Sequence, residues 1–171
     1  MEILALIKRL LEDQWNCSIT TSLEKSIGEK LSVSIGKDAQ DRTRTIEIAA
    51  FDQPFPLAQE SYYRIQFVIY LPYQVEALAL NQTASLILFL NQLMHYPGLE
   101  LNELNNQLLY RYVWLTKKSN IEKPLILGII SLIVMVLNIY SGMIEEVAKG
   151  RLTFDEILQK IISNNEESLN F

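Results

Sequence analysis

One histidine and one cysteine occur in the whole chain of 171 residues. The single His95 leaves no second imidazole for a histidine-based metal site, and it lies too far along the chain from Cys17 to be its neighbour in sequence. It falls near the end of helical text, where a histidine reads as structural or as a partner of the helix dipole. The single Cys17 can form no intrachain disulfide, which points to a reducing compartment. Beside Trp15 and Ile19 it reads as a small core hydrophobe. A basic excess is also missing: 15 Lys and Arg stand against 20 Asp and Glu, a net charge of −5. Phosphate backbones need a positive footprint, so nucleic acid is excluded as an expected partner. No phosphate-binding glycine loop, nucleophile elbow or paired-histidine zinc motif occurs. The acidic pairs Glu12/Asp13, Glu145/Glu146 and Asp155/Glu156 read as solvated helix surfaces or a cap. The start, MEILALIKRLLEDQW, is interrupted by Lys8, Arg9, Glu12 and Asp13 and reads as no secretory signal. These absences lead to the expectation of a cytoplasmic, non-enzymatic protein with no metal and no cofactor.

Apolar residues are plentiful: 49 % of the chain is hydrophobic and 20 % charged, a globular composition. The length suits a single domain, expected over residues 1–165, with a frayed tail at 166–171. Residues 2–13 carry Ile3, Ile7, Leu10 and Leu11 on one helical face. Four strand-like stretches follow: CSITTSL (17–23), LSVSIG (31–36), TIEIAAF (45–51) and YYRIQFVIYLP (62–72), the last closed by Pro72. The proline-bearing DQPFPLAQES (52–61) reads as a loop. Asn81 reads as the N-cap of a second helix that stops at Pro97-Gly98. LEL (99–101) and QLLYRYVWLT (107–116) read as strands about a turn at Asn105-Asn106. After Gly150, Thr153 and Glu156 form a capping box for a last helix, with Leu152 and Ile157 as its hydrophobic staple. The order is α-β-β-β-β-α-β-β-α-α. Short connections predict an α+β fold, an antiparallel sheet with helices packed on one face.

One stretch, PLILGIISLIVMVLNIYSGMI, carries no charge from Pro124 to Ile144. Its length suffices for a membrane span. On a helical wheel Pro124, Gly128, Ser131, Asn138 and Gly142 fall within about 40° of one line, with Met135 the one large residue on it. The same line continues to Glu146 and Lys149. That continuity predicts one helix over 121–149, about 43 Å long, ended by Gly150. One sheet face covers only one side of such a helix. The far side needs the last helix, through Phe154, Ile157 and Ile161, or a second subunit. The expected dimer or partner surface is Leu125, Ile129, Leu132, Ile133, Val136 and Tyr140. The alternatives are a kink at Gly142 with the helix covered inside the monomer, and a membrane-associated protein with residues 124–144 in the bilayer.

The segment YPGLELNELNNQLLYRYVWL (96–115), the long apolar helix and the LTFDEIL helix together resemble the YbjN-like proteins. Their fold is that of the type III secretion chaperones. The resemblance covers most of the chain in element order and residues 96–158 in residue pattern; an additional strand and loop between 45 and 71 departs from it. It implies a small acidic cytoplasmic homodimer with a peptide-binding or regulatory role, a non-enzymatic protein that binds a peptide or protein client. Tyr110, Tyr112 and Trp114, at period two on one strand, read either as sheet-to-helix packing or as the candidate peptide-contact face. LSVSIG and TIEIAAF are the candidate sheet edges for an extended client segment.

Overall fold

A computed structural model describes residues 2–21, 29–55 and 62–168. The chain runs α1 (Glu2–Leu11), β1 (Asn16–Thr21), β2 (Glu29–Lys37), β3 (Thr43–Gln53), β4 (Tyr62–Gln74), α2 (Leu80–Leu93), β5 (Leu99–Asn102), β6 (Gln107–Lys117), α3 (Lys123–Ala148) and α4 (Phe154–Ser168). The fold is α+β, a six-stranded antiparallel sheet of order β1-β2-β3-β4-β6-β5 with helices packed on it. This is the element order expected from the sequence. The expected strand end at 22–23, the loop at 56–61 and the last tail residues 169–171 lie outside the described residues. Helix α4 itself continues to Ser168.

Two compact units share the chain: Met1–Pro72 with Tyr110–Met135, and Tyr73–Leu109 with Val136–Phe171. In the first, strand alternation sorts the side chains into rows. Ile19, Leu31, Ile48 and Phe67 stand side by side across β1–β4, and Cys17, Val33, Ile46 and Ile69 form the next row. Helix α1 lies against β1, β2 and β3. Its Ile3, Leu4, Ile7 and Leu11, spaced at three and four residues, are all buried. The opposite sheet face is mixed, with Ala49 and Val68 buried beside polar contacts: Lys30 Nζ lies 2.6 Å from Glu47, and Arg64 sits 4.7 Å above the Phe51 ring. The β2–β3 register shifts between Ser34 and Lys37. Gly36 there has φ +103°, a conformation that glycine adopts without penalty.

Two local expectations are corrected. Strand β4 does not close at Pro72 but runs to Gln74. Its paired register with β3 ends at Ile46 opposite Ile69, so the proline lies past that ladder. Asn81 is not the N-cap of α2. A 3-10 turn over Ala77–Ala79 leads directly into the helix, places Ala79 at the cap and leaves Asn81 inside the first turn.

In the second unit, Asn91 organises the Pro97-Gly98 turn. Its side-chain oxygen accepts the Gly98 and Leu99 N–H groups at 3.1 Å each, and its amide donates to the Leu99 carbonyl at 2.9 Å. The capping box of α4 forms as read: Glu156 accepts from the Thr153 N–H at 2.7 Å and the Thr153 hydroxyl accepts from the Glu156 N–H at 3.2 Å. Gln82 of α2 accepts the Phe154 N–H at 2.9 Å, and Phe89 meets Phe154 edge-on at 5.7 Å. Tyr73, at the end of β4, donates its hydroxyl to the Ser141 carbonyl of α3 at 2.7 Å.

Candidate functional site

Helix α3 is where sequence and surface diverge most. It has 26 residues and is long and apolar enough to cross a membrane by length and composition. Its helical pattern is unbroken through Gly142. One face is core: Ile126, Ile130, Ile133, Val136, Leu137, Ile144 and Val147 are buried. The other face is open, and only 28 % of the most apolar window is buried. Pro124, Gly128, Ser131, Met135, Asn138 and Gly142 are all exposed, so the line of small residues is the outward line. Around it Leu125, Met135 and Ile139 are 48 %, 52 % and 57 % exposed. A Cβ built on Gly128 or Gly142 meets nothing within 4 Å.

Of the expected dimer surface, Leu125 is exposed and Ile129, Leu132 and Tyr140 are half-buried. Ile133 and Val136 are buried and belong to the core instead; Ile133 lies opposite the small line on the wheel and Val136 about a third of a turn from it. Met135 and Ile139 carry the exposed apolar area that the expectation left out. Their signal was in the sequence, since Met135 sits on the small line and Ile139 lies beside it.

The aromatic face is also redistributed. Tyr110 is wholly buried, and burial followed by the neighbouring Tyr112 raises its phenol above the ordinary value. Tyr112 and Trp114 are half-buried, and Tyr112 meets the Phe67 ring at 6.4 Å. Alternation thus sends the aromatic face of β6 inward and leaves Val113 and Leu115 exposed. The candidate edges are interior strands: β2 lies between β1 and β3, and β3 between β2 and β4. The ends of the sheet are β1 and β5.

Titratable groups form ion pairs and turns in the described structure. A cleft of about 230 Å³ is lined by Glu2, Ile3, Ala50, Asp52 and Tyr63. Glu2 pairs there with Lys118, whose hydrogen bond and charge hold the carboxyl below its usual range. A carboxylate held ionised in this way is a poor proton donor. Asp13 pairs with Lys123 at 2.5 Å and Glu146 with Arg151 at 2.8 Å. Cys17 is half-buried and free, its thiol pushed up by burial and then by Glu12. A raised thiol is a weak nucleophile at neutral pH. His95 follows the end of α2 and is exposed. Among the described residues no group of three or more His, Cys, Asp or Glu is placed to hold a metal ion.

The chain matches no protein-family model, and no curated protein or solved structure shows significant similarity to it.

Proposed function

We propose that this chain is a non-enzymatic protein-binding module, chaperone-like or regulatory, that acts as a homodimer through the outer face of α3. The observation that carries the reading is the exposure of Leu125, Met135 and Ile139 along one helix. Half-exposed apolar side chains grouped on one rigid element are a feature of interaction surfaces. The resemblance of residues 96–158 to the YbjN-like proteins, with their type III secretion chaperone fold, supports the same class. The client is a protein or peptide, and the uncharged, proline-free β1 is the strand that suits β-addition of an extended segment. The −5 charge supports a partner other than nucleic acid, and the single thiol supports a cytoplasmic setting.

A bilayer is the second reading, favoured by the length and openness of α3. About 39 Å of helix exceeds a hydrocarbon core of roughly 30 Å. The outward Ser131 and Asn138 oppose it, since a lipid-facing helix surface favours large apolar side chains. Sedimentation equilibrium in detergent-free buffer separates the two. The homodimer reading expects a reversible dimer, with Met135→Lys weakening association at least tenfold. A chain that is monomeric across the micromolar range, or recovered only with detergent, refutes it.

A further inference from the structure

Helix α4 belongs wholly to the second unit and lies on α2. It is shallowly seated. Of residues 154–163 only Ile157 is buried; Phe154, Leu158 and Ile161 are half-buried and Ile162 is exposed. The Phe154 N–H donates to Gln82 and the Phe154 ring meets Phe89 edge-on. Gln82 and Phe89 share one face of α2 with Leu86 and Leu93, at helical spacing. We infer that this face of α2 is a docking site for an amphipathic helix, that α4 is its resident occupant, and that a partner helix of the same apolar spacing displaces α4. The inference extends the protein-binding reading to a second surface and does not depend on the α3 homodimer.

The polar bonds of α4 favour its release as an intact helix. Its N-terminus is capped from within, by Thr153 and Glu156. Among the described residues, one hydrogen bond ties α4 to the rest of the unit, from the Phe154 N–H to Gln82. That bond is exposed, so water replaces it when α4 leaves. The bonds that close the end of α3 reach only as far as Leu152, so α4 can move about Thr153 without breaking them.

Apolar spacing defines the occupant. Phe154, Ile157, Leu158 and Ile161 stand at i, i+3, i+4 and i+7, the pattern by which a helix lies in a groove. The opposite side of α4 carries Asp155, Glu156 and Lys160, of which the two acids and the lysine are exposed. Helix α2 has no charged residue from Leu80 to Leu93, so it selects by the size and spacing of apolar anchors rather than by charge. The resident helix leaves Leu93, on the same line of α2, 54 % exposed. A partner helix that reaches Leu93 buries more apolar surface than α4 does.

Two measurements on the full chain test the docking site. Native-state hydrogen exchange compares the two helices. Amides at Leu158–Ile162 are expected to exchange about a hundredfold faster than those at Leu86–Leu90, through local release of α4. Equal protection means that α4 opens only when the unit unfolds, and overturns the inference. The second measurement is fluorescence anisotropy with a labelled synthetic peptide of residues 151–163. In wild type the resident helix competes with it. Ile157→Ser loosens that helix and is expected to tighten peptide binding about tenfold. Adding Phe89→Ala should remove the gain; a gain that persists places the peptide elsewhere and overturns the site. An Ile157→Ser chain that is folded by circular dichroism and binds no better than wild type also overturns it, and leaves the sedimentation test of the α3 homodimer untouched. If Ile157→Ser does not fold, the exchange comparison in wild type decides. A wild-type dimer that is lost on Phe89→Ala makes the α4 of a second copy the occupant and overturns a separate partner.

Discussion

Asp38 closes the turn between β2 and β3. Its side chain is only 4 % exposed. One carboxylate oxygen accepts the Gln40 and Arg42 N–H groups at 2.9 Å each, and the other accepts from Arg42 Nε at 2.7 Å. Burial works against ionisation, but the Arg42 and Gln40 hydrogen bonds outweigh it and hold the carboxyl below its ordinary value of 3.8. A carboxyl depressed on folding stabilises the fold above its unfolded value and loses that contribution as pH falls through the folded value. Asp38→Ala removes the acceptor of three hydrogen bonds, two of them from the half-buried Arg42, and is expected to cost about 1–2 kcal/mol in urea unfolding at pH 7. The gap from wild type should narrow steadily below pH 4; a gap unchanged at pH 2.5 contradicts the assignment. The stretch KDAQDRTR was legible as a polar turn but not as this arrangement. Two aspartates lie in it, and which one turns inward depends on the backbone path: Asp41 takes φ +64° and stays exposed. Asn91 was hidden for the same reason, since its partners Gly98 and Leu99 come to it only when the chain reverses after α2.

Helix ends were legible where one short motif contains the whole solution. Gly150, with φ +64°, ends α3 as expected. The Arg151 N–H bonds the Glu146 carbonyl at 2.9 Å and the Gly150 N–H bonds the Val147 carbonyl at 2.9 Å, the two bonds of a Schellman motif. Arg151 then folds back on Glu146 through two hydrogen bonds, where such motifs often place an apolar contact. The T-x-x-E box three residues on is equally self-contained. The start of α2 failed because the preceding 3-10 turn, not the side chain of Asn81, sets the entry. A Cβ on Gly150 would meet only Glu76 Oε2 at 4.0 Å, so backbone strain is the sole penalty for alanine. Gly150→Ala is therefore expected to destabilise by about 1–2 kcal/mol, and Gly150→Asn by less, since asparagine tolerates this conformation. Equal losses for the two variants in chemical denaturation would place the cost elsewhere.

At the scale of the molecule, strand existence was legible and strand adjacency was not. LSVSIG and TIEIAAF, the candidate edges, became the interior strands β2 and β3, each flanked on both sides; Ser32, Ser34 and Glu47 alternate with their core residues and lie on the other side of the sheet. In the same way the aromatic residues of β6 look like a platform until the sheet shows which face is covered. The outward line of α3 was legible as a line; its exposure depends on what the helix packs against. A dimer built on that line links folding to mass action, because unfolding then releases two chains from one particle. A tenfold rise in concentration adds about 1.4 kcal/mol per dimer, or roughly 0.7 kcal/mol per chain. For a chain of this size that raises the thermal midpoint by about 2 °C. Wild-type protein is expected to show this rise by differential scanning fluorimetry at each tenfold step through the range where the dimer is populated. Met135→Lys removes the association without disturbing buried packing, since Met135 is half-exposed, and its midpoint should stay level across the same series. A wild-type midpoint that is also level means that the folded chain gains nothing from a second copy, and the outer face of α3 then serves another partner.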